Sequence, residues 1–411
     1  MDTLQLSSIL LLSAFIVYVL SSFAFIISIT GKNWNKNWSK DRKSAHQSRW
    51  GTIGFALTLV GLLSQIGYII TRWLFDHYPI SNMFEFITFL SLTIVISFTV
   101  IYSMYRLPAL GAFVMPLTVI IFSYAYIFPS KVQTLMPALQ SHWLIIHVST
   151  AALGEGLFAV GFVAGLMLLL RKVDTSVTSK NTKWLEFTMY ILLTVITFIV
   201  SIFSFTAAGY EAKFTELNPK TDEIQQVKYV LPPFIGPATG ETLQVDSFLG
   251  ISKPILKAPS WMEGMNAARK LNTMIWSLVT GGILYVLLRL ILRKRLSQVA
   301  SSWVSDLDEE VIDEISYRAI AIGYPLFVLG ALIFAMIWAE QAWGRFWGWD
   351  PKEVWALITF LFYTAYLHFR LSRGWQGTKS AWMAVLGYLV VMFTLVGVNL
   401  VLSGLHAYSG V

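Results

Sequence analysis

Long apolar runs separated by short polar segments dominate the chain. Each run holds about 20 residues, which is the length a helix needs to cross about 30 Å of hydrocarbon at about 1.5 Å per residue. A helix is the expected element because lipid offers the backbone no hydrogen-bond partners, whereas a helix satisfies its own. The pattern predicts an all-α fold class, a polytopic integral membrane helical bundle. Its ten predicted spans are residues 7–29, 51–71, 84–104, 108–127, 144–170, 184–207, 272–292, 319–340, 353–370 and 379–402.

Composition agrees with a membrane protein. The 411 residues are 56% hydrophobic and only 13% charged, whereas charged residues make up about a quarter of a soluble domain. The first apolar stretch lacks a basic n-region and is too long for a signal peptide, so we expect it to be a retained span. The chain has no cysteine, which excludes a disulfide, a thiolate metal site or a cysteine redox relay within it.

Basic residues predict the side of the membrane that each loop occupies. The segment between spans 1 and 2, Gly31–Trp50, holds six Lys and Arg residues against one acid. Further basic groups follow spans 5, 7 and 9, and they include the sequence RKR at 293–295. Because cytoplasmic loops carry the excess of Lys and Arg, these loops are predicted to be cytoplasmic and both termini extracytoplasmic. The net charge of +7 is then a topology signal, and we expect no nucleic-acid partner.

One predicted extracytoplasmic loop, residues 208–271, is much longer than the others. It contains the Pro- and Gly-rich sequence LPPFIGPATG at 231–240, and it is not basic. The loop is long enough for a small ordered subdomain, but a partly mobile loop would have the same composition, so both alternatives stay open. The predicted organisation is an N-terminal set of helices (1–170), an extra span pair with this loop (171–318) and a C-terminal region (319–411).

The sequence WGRFWGWDPKEVW, Trp343–Trp355, joins two of the long apolar runs. Asp350 is predicted to cap the next helix, because Asp is a favoured N-cap, Pro fits the first helical position and Glu353 can complete a capping box. The four tryptophans can anchor the chain at the membrane interface, where indole rings are favoured. Both roles are structural, and capping does not exclude a second role for Asp350.

A binding surface is the second interpretation of the same loop. Five tryptophans fall within 18 residues, starting at Trp338, and two glycines leave space beside the rings. A membrane anchor needs only one or two indoles at each span end, so this cluster favours a large, flat, apolar ligand. Arg345 adds a cation that suits acidic groups on such a ligand. We call Trp343, Trp347 and Trp349 the tryptophan shelf, and Trp355 is the ring best explained as an anchor alone.

Three of the six histidines have positions that favour a function. His147 lies at the predicted outer start of span 5, and His406 lies just beyond the outer end of span 10, so both are at the depth of the shelf. Two neutral imidazoles that face each other can ligate a haem iron from both sides. His368 lies within span 9, 15 residues or about 22 Å from Glu353, and an ionisable group inside a membrane is a functional candidate.

The other histidines leave alternatives open. His142 precedes His147 by five residues and competes for the same role. His77 is either an ordinary loop residue or a neighbour of the shelf, and His46 receives no role. A single interfacial histidine is more often a satisfied polar residue than a ligand. The residues alone therefore indicate an outer site for a flat amphipathic ligand, with haem as one candidate.

Four segments carry recognisable motifs. The stretch WAEQAWGRFWGWDPKEVWALITFLFYTAYLHFR (338–370) resembles the tryptophan-rich WWD region of haem-handling proteins. The others are HYPISNMFEFITFL (77–90), LMPALQSHWLIIHVSTAALGEGLF (135–158) and GVNLVLSGLHAYSG (397–410). In their order along the chain, the four segments resemble those of the CcsA/ResC family of cytochrome c biogenesis proteins, which belong to system II. The segment from about residue 172 to 314 is longer than the corresponding segment in the shorter members of that family, and it carries no recognised motif.

The resemblance implies that the protein works with a partner membrane subunit of the CcsB/ResB type. Together they would convey haem b to the extracytoplasmic face of the cytoplasmic (plasma) membrane and act as a cytochrome c synthase, or haem lyase. The haem would be presented to the CxxCH motif of apocytochrome c, where two thioether bonds form with the haem vinyl groups. Such a protein is multi-pass, and its direct surroundings are the lipid bilayer.

The resemblance also implies roles for individual residues. His147 and His406 match the two outer axial ligands of the haem iron. His368 matches an intramembrane histidine on the haem path, and its companion ligand is expected on the partner subunit. The surface that holds the macrocycle is matched by the tryptophan shelf and Asp350, and Arg345 is the cation beside it.

Two other functions remain as alternatives. The chain could export haem or another amphipathic anion without any ligase activity. It could also be a structural subunit whose aromatic loop docks a partner, in which case no chromophore is bound. Paired outer histidines at a tryptophan shelf favour presentation of haem over simple passage.

Overall fold

The computed structural model describes residues 3–31, 38–75, 77–128, 141–218, 223–238, 240–259 and 267–398. Ten helical segments in these ranges are long and apolar enough to cross a membrane, which confirms the predicted multi-pass helical fold. The helices before the long loop are α1 Thr3–Thr30, α2 Lys40–Phe75, α3 Met83–Tyr105, α4 Pro108–Ala125, α5 His142–Lys172 and α6 Lys180–Ala207. Those after it are α7 Ala267–Leu292, α8 Leu296–Val304, α9 Glu309–Val328, α10 Ala335–Trp343, α11 Pro351–Ser372 and α12 Thr378–Met392, with π-helices at Leu329–Phe334 and Phe393–Gly397.

The chain divides into two compact units. The first contains the residues up to 177 together with 298–394, and the second contains 178–297 together with the residues from 395. Helix α5 is the most completely buried of the described spans, because 89% of an apolar 18-residue stretch within it is buried. It packs against α3, α9 and α12. It is therefore the central helix of the first unit, and the side chains it carries are shielded by its neighbours.

Glycines allow α5 and α9 to approach closely. A Cβ added at Gly154 on α5 would lie 2.7 Å from the backbone nitrogen of Phe327. A Cβ added at Gly330, just after α9, would lie 2.2 Å from the backbone nitrogen of Ala151. Small residues at such positions are typical of helix pairs in lipid, where van der Waals contact drives association.

The helical path widens into a π-helix, Leu329–Phe334, between α9 and α10. Pro325 lies just before it, inside α9, and a proline removes one backbone hydrogen bond and displaces the preceding turn. Widened turns of this kind occur often at functional sites. This one packs against α5.

The second unit pairs α6 with α7 and contains the described residues of the long loop. Its strands are β1 Ala212–Asn218, β2 Glu223–Tyr229, β3 Ile235–Gly236, β4 Thr242–Val245 and β5 Leu256–Lys257. An antiparallel sheet has the order β2-β1-β4, and β3 pairs in parallel with β5.

A small core holds the described strands of this loop together. Phe214, Tyr229 and Ala268 are among its buried members. The indole N–H of Trp276 on α7 donates to the carbonyl oxygen of Pro232 at 2.6 Å. The described residues therefore support the ordered subdomain rather than the mobile loop that the sequence left open.

Helix α2 begins at Lys40, well before the predicted start of its span at residue 51. The Ser39 hydroxyl accepts a hydrogen bond from the backbone N–H of Arg42 at 3.3 Å, as a capping residue does. Hydropathy marks only the part of a helix that can lie in lipid, so it does not detect a polar extension. The basic residues Arg42, Lys43 and Arg49 therefore lie on a helix and not in a loop.

Candidate functional site

His147 lies on the face of α5 that packs against the first π-helix. Its Nδ1 is 2.9 Å from the carbonyl oxygen of Gly330. Because a carbonyl oxygen only accepts, Nδ1 carries the proton in this contact, and in the neutral ring the lone pair is then on Nε2. Metal-binding histidines commonly use one ring N–H to bond a backbone carbonyl, which fixes the orientation and the tautomer of the ring. This contact therefore fixes the orientation of the His147 ring.

Two indole rings complete this side of the site. The imidazole of His147 stacks on Trp338, with ring centroids 5.9 Å apart and planes inclined by 13°. Trp338 is 2% exposed, and Trp343 meets it edge to face at 6.4 Å. The indole nitrogen of Trp343 is buried and has no hydrogen-bond partner among the described residues. Trp338 thus contacts both His147 and Trp343. The tryptophan shelf predicted from the sequence did not include Trp338.

The rest of the shelf lies on the loop between α10 and α11. Trp347 and Trp349 meet edge to face with centroids 6.0 Å apart. Trp349 is 71% exposed and has a φ of 57°, a left-handed conformation that is rare for a bulky residue and is maintained only where surrounding structure enforces it. The exposed Arg345 lies across Gly348, where an added Cβ would be 2.7 Å from its Nη2. The loop therefore presents two indoles and a cation at its surface.

Asp350 caps α11, as the sequence predicted. Its carboxylate accepts a hydrogen bond from the backbone N–H of Lys352 at 3.0 Å. Glu353 Oε2 accepts from the backbone N–H groups of Gly348 and Asp350 at 2.7 and 3.2 Å, so the capping box is complete. The two carboxylates fix the entry of the loop into α11. A second role of Asp350 toward a ligand stays a prediction.

His368 lies on an outward face of α11. Its side chain is exposed in this chain, as are those of Leu361 and Leu371 on the same face. The hydroxyl of Ser372 donates to the carbonyl oxygen of His368, so Nδ1 is the donor in the 3.3 Å contact between the ring and Ser372 Oγ. The lone pair of His368 is then on Nε2, as it is in His147.

The structure separates His142 from its competitor. His142 is the first residue of α5 and is exposed. Five residues rotate a side chain by about 140° around a helix, so His142 does not share the packed face of His147. His406, the second predicted outer ligand, lies outside the described residues, and its placement stays a prediction.

Glu85, at the start of α3, binds several groups and was not singled out by the sequence. Arg72 Nη2 lies 2.7 Å from Glu85 Oε1, and His77 Nε2 lies 3.0 Å from both carboxylate oxygens. The Ser81 hydroxyl donates to Glu85 Oε2 at 2.6 Å. His77 is therefore held by Glu85, and this contact favours the ordinary loop residue over the shelf neighbour.

Tyr78 connects the same loop to α5. Its hydroxyl lies 3.0 Å from Oγ of Ser149, two residues after His147. Burial raises the pKa of the Tyr78 phenol, so the group stays a neutral hydroxyl near pH 7. The loop after α2 is thus fastened to α5 close to the candidate ligand.

A buried polar cluster lies deeper in the first unit, and sequence reasoning missed it. Glu155 Oε2 on α5 is buried and has no hydrogen-bond partner among the described residues. The same holds for the hydroxyl oxygens of Tyr363 on α11 and Tyr388 on α12. The only sequence signal was a single carboxylate within the apolar stretch LGEGLFAVGF.

Comparison with known proteins identifies one family. The model of a family described as "Cytochrome C assembly protein" matches residues 80–231 and 271–406. Relatives named cytochrome c biogenesis protein CcsA occur in Nostoc punctiforme, 30% identical over 368 residues, and in Nostoc sp., 31% identical over 364 residues; each match covers 87% of this chain and 88% of the relative. The relative of that name in Synechocystis sp. is 30% identical over 415 aligned positions, which cover 100% of this chain and 99% of the relative.

Proposed function

The chain belongs to the cytochrome c assembly protein family and is a cytochrome c biogenesis protein, and we propose that its part in that process is to present haem for covalent attachment. One observation carries the proposal. His147 stacks on the buried Trp338 and is fixed by the Gly330 carbonyl with its lone pair on Nε2. A single ring so oriented, stacked on one indole that meets a second edge to face, suits a flat ligand with a metal at its centre.

Haem is the substrate of this site rather than a resident cofactor. His147 and His406 are proposed to hold the iron, and the tryptophan shelf with Asp350 to hold the macrocycle. The exposed Arg345 suits the acidic groups of the porphyrin, because a guanidinium pairs well with carboxylates. Two imidazole ligands leave the haem replaceable, since one of them can give way to the histidine of the CxxCH motif.

The attachment itself is an addition that needs no net oxidation. The S–H bond of a cysteine and the π bond of a haem vinyl group break, a C–S bond forms at one vinyl carbon, and a C–H bond that takes the thiol proton forms at the other. The proposed contribution of this chain is to fix the position of the porphyrin and exclude water. The ligase activity is proposed to require the partner subunit and to act on apocytochrome c.

His368 supports the proposed partnership with a CcsB/ResB-type subunit. An imidazole that faces outward among apolar side chains has no membrane-compatible environment unless another protein covers it. A transmembrane helix of the partner that supplies a second imidazole would provide both the cover and the other axial ligand. We propose that haem passes this inner site on its way to the extracytoplasmic face of the cytoplasmic membrane.

Absorption spectroscopy tests the outer site directly. The protein, purified with its partner from haem-replete cells, is expected to show a bis-imidazole haem spectrum. The spectrum should weaken in His147→Ala and in His406→Ala, because each removes one axial ligand. His142→Ala is the matched control, since this exposed histidine lies on the same helix end, and its spectrum should be unchanged. A colourless wild-type preparation would contradict the proposal.

A second measurement separates a ligase from an exporter. The haem-loaded protein with its partner is mixed with a reduced apocytochrome c that contains CxxCH. A ligase gives haem that stays attached to the cytochrome on a denaturing gel. An exporter releases haem that binds without covalent attachment, and that result would favour the alternative.

A further inference from the structure

Three large apolar side chains of the long loop are exposed within eight residues of one another. Leu249 is 87% exposed, Ile255 61% and Leu256 63%, and we call these three side chains the apolar tip. All three belong to the second unit. Isolated apolar residues at a surface need no explanation, whereas a concentration of them marks a contact with a protein or a membrane.

A tight hairpin turn holds Leu249 outward. Phe248 and Ile251 exchange two backbone hydrogen bonds, of 2.8 and 3.2 Å, and the two residues between them have φ angles of 48° and 82°. Positive φ at both central positions is typical of a type I′ turn, which favours Asn, Asp or Gly there. Gly250 fits this preference, but Leu249 does not. A bulky apolar residue in this rare conformation is best explained by what its side chain meets outside the chain.

Aromatic contacts fix the depth of this turn along the membrane-spanning helices. The ring of Phe248 lies 4.9 Å from that of Phe205, two residues before the end of α6, and 6.0 Å from that of Trp276 on α7. Trp276 lies four residues inside the predicted span 272–292, or about 6 Å along the helix. The turn that carries Leu249 is therefore at the level where α6 and α7 enter the hydrocarbon.

The second exposed segment is attached at the same level. The backbone N–H of Leu256 donates to the carbonyl oxygen of Phe234 at 2.9 Å, and Phe234 stacks on Trp276 with ring centroids 4.7 Å apart. Pro254 packs on β3, because a Cβ added at Gly236 would lie 2.6 Å from its Cγ. Both parts of the apolar tip are thus held next to residues that contact one indole at the membrane end of α7.

The charges beside the apolar tip are all positive. Lys253 and Lys257 are exposed, and residues 247–259 contain no acid. Apolar side chains next to Lys are typical of segments that lie at a membrane surface, where the apolar groups enter the acyl region and the ammonium groups stay among the phosphates. The depth and the charge of this surface therefore favour a bilayer over a protein.

We propose that the apolar tip inserts into the bilayer beside α6 and α7, and that Lys253 and Lys257 pair with the phosphate groups of anionic lipids. Insertion removes apolar side chains from water, while the lysine ammonium groups stay in the headgroup layer, where water still reaches them. The subdomain then contacts the membrane surface directly, in addition to its attachment to α6 and α7. The inference concerns the second unit alone and does not depend on haem.

Spin labelling tests the insertion, because the chain has no cysteine of its own that would also react. The full-length protein carries a nitroxide on Leu249→Cys or on Leu256→Cys and is reconstituted in vesicles of phosphatidylcholine and phosphatidylglycerol. Oxygen concentrates in hydrocarbon, so it should relax both labels strongly. A water-soluble nickel chelate should relax them weakly.

Ile224→Cys is the matched control. Ile224 is 74% exposed on β2, and its partner Leu217 lies five residues along β1 from Ala212, or about 16 Å from the end of the strand that follows α6. The nickel chelate should relax this label severalfold more than the labels of the apolar tip. Equal chelate accessibility at all three positions would overturn the insertion. Labels of the apolar tip that neither oxygen nor the chelate reaches would also overturn it, because a protein surface then covers them.

The lipid composition tests the two lysines. Vesicles of phosphatidylcholine alone should lower the ratio of inserted to withdrawn label on Leu249→Cys, by up to about fivefold per lysine. Lys253→Gln combined with Lys257→Gln should remove this dependence on lipid charge. If the double lysine variant kept the full dependence, the proposed pairing with lipid phosphates would be wrong.

Discussion

At the scale of single residues, the direction of one hydrogen bond determines what His147 can do. The carbonyl that accepts from Nδ1 belongs to Gly330, which is 183 residues away in the chain. The sequence placed His147 at the correct helix end and named it a candidate. It could not distinguish a ligand from a satisfied polar residue, because the tautomer is set by a tertiary contact.

Gly330 can be tested as the residue that orients His147. An added Cβ would lie 2.2 Å from the backbone of α5, and because backbone cannot move aside cheaply, overpacking should cost about 1–3 kcal/mol. Gly330→Ala is therefore expected to lower the thermal stability and to weaken the bis-imidazole haem spectrum.

The matched control for this prediction is Gly282→Ala on α7. A Cβ there would meet only one ring carbon of Tyr190 at 3.9 Å, so the change is expected to be neutral or slightly stabilising. If Gly330→Ala retained both the wild-type spectrum and the wild-type stability, the proposed role of this close approach would be wrong.

Asp350 has one role that is established by geometry and one that stays a prediction. Its capping role followed from four consecutive residues, which is why the sequence sufficed. Asp350→Ala should cost about 1 kcal/mol of stability through loss of the cap, whereas Asp350→Asn keeps a good cap and removes only the charge. Thermal unfolding and haem retention are measured on both variants. Loss of haem in Asp350→Asn at unchanged stability would support a ligand role, and retention of haem would limit Asp350 to capping.

At the scale of elements, the length of the apolar runs identified every described span, but not the ends of the helices. Helix α2 starts 11 residues before its predicted span, because polar helical turns carry no hydropathy signal. The π-helix at Leu329–Phe334 was also missed, since it depends on how α9 packs against α5. The π-helix matters for the candidate site, because it supplies the carbonyl that fixes His147.

Helix α11 connects the capped loop to His368, and its outward face makes a specific prediction. His368→Ala should reduce maturation of c-type cytochromes in cells, because the inner haem site loses one axial ligand. The outer site of the purified variant should still bind added haem with the spectrum of wild type.

Leu371→Ala is the control for the same face. Leu371 is 71% exposed and lies one turn from His368, so its removal perturbs the surface without removing a ligand, and maturation should stay near the wild-type level. If maturation in His368→Ala also matched wild type, the proposed inner site would be wrong.

At the scale of the whole molecule, the sequence predicted the class of protein but not the β-strands in its longest loop. Hydropathy and the Lys and Arg distribution predict ten spans and a sidedness for every loop. The sheet in residues 212–257 depends on contacts among short strands, such as the pairing of Ala212 with Tyr229, which periodicity does not reveal. The structure supplies the strands in the described part of this segment, whereas the predicted sidedness rests on charge alone.

Cysteine labelling tests this sidedness, because the chain contains no cysteine of its own. Lys253 and Lys294 are both exposed and lie on opposite sides of α7, whose 26 residues span about 39 Å. Lys253→Cys in the long loop should react with a membrane-impermeant maleimide in intact cells. Lys294→Cys should react only after the membrane is permeabilised, because the basic segment after α7 is predicted to be cytoplasmic. The reverse pattern would invert the assigned topology, and with it the side on which the long loop and the predicted outer site lie.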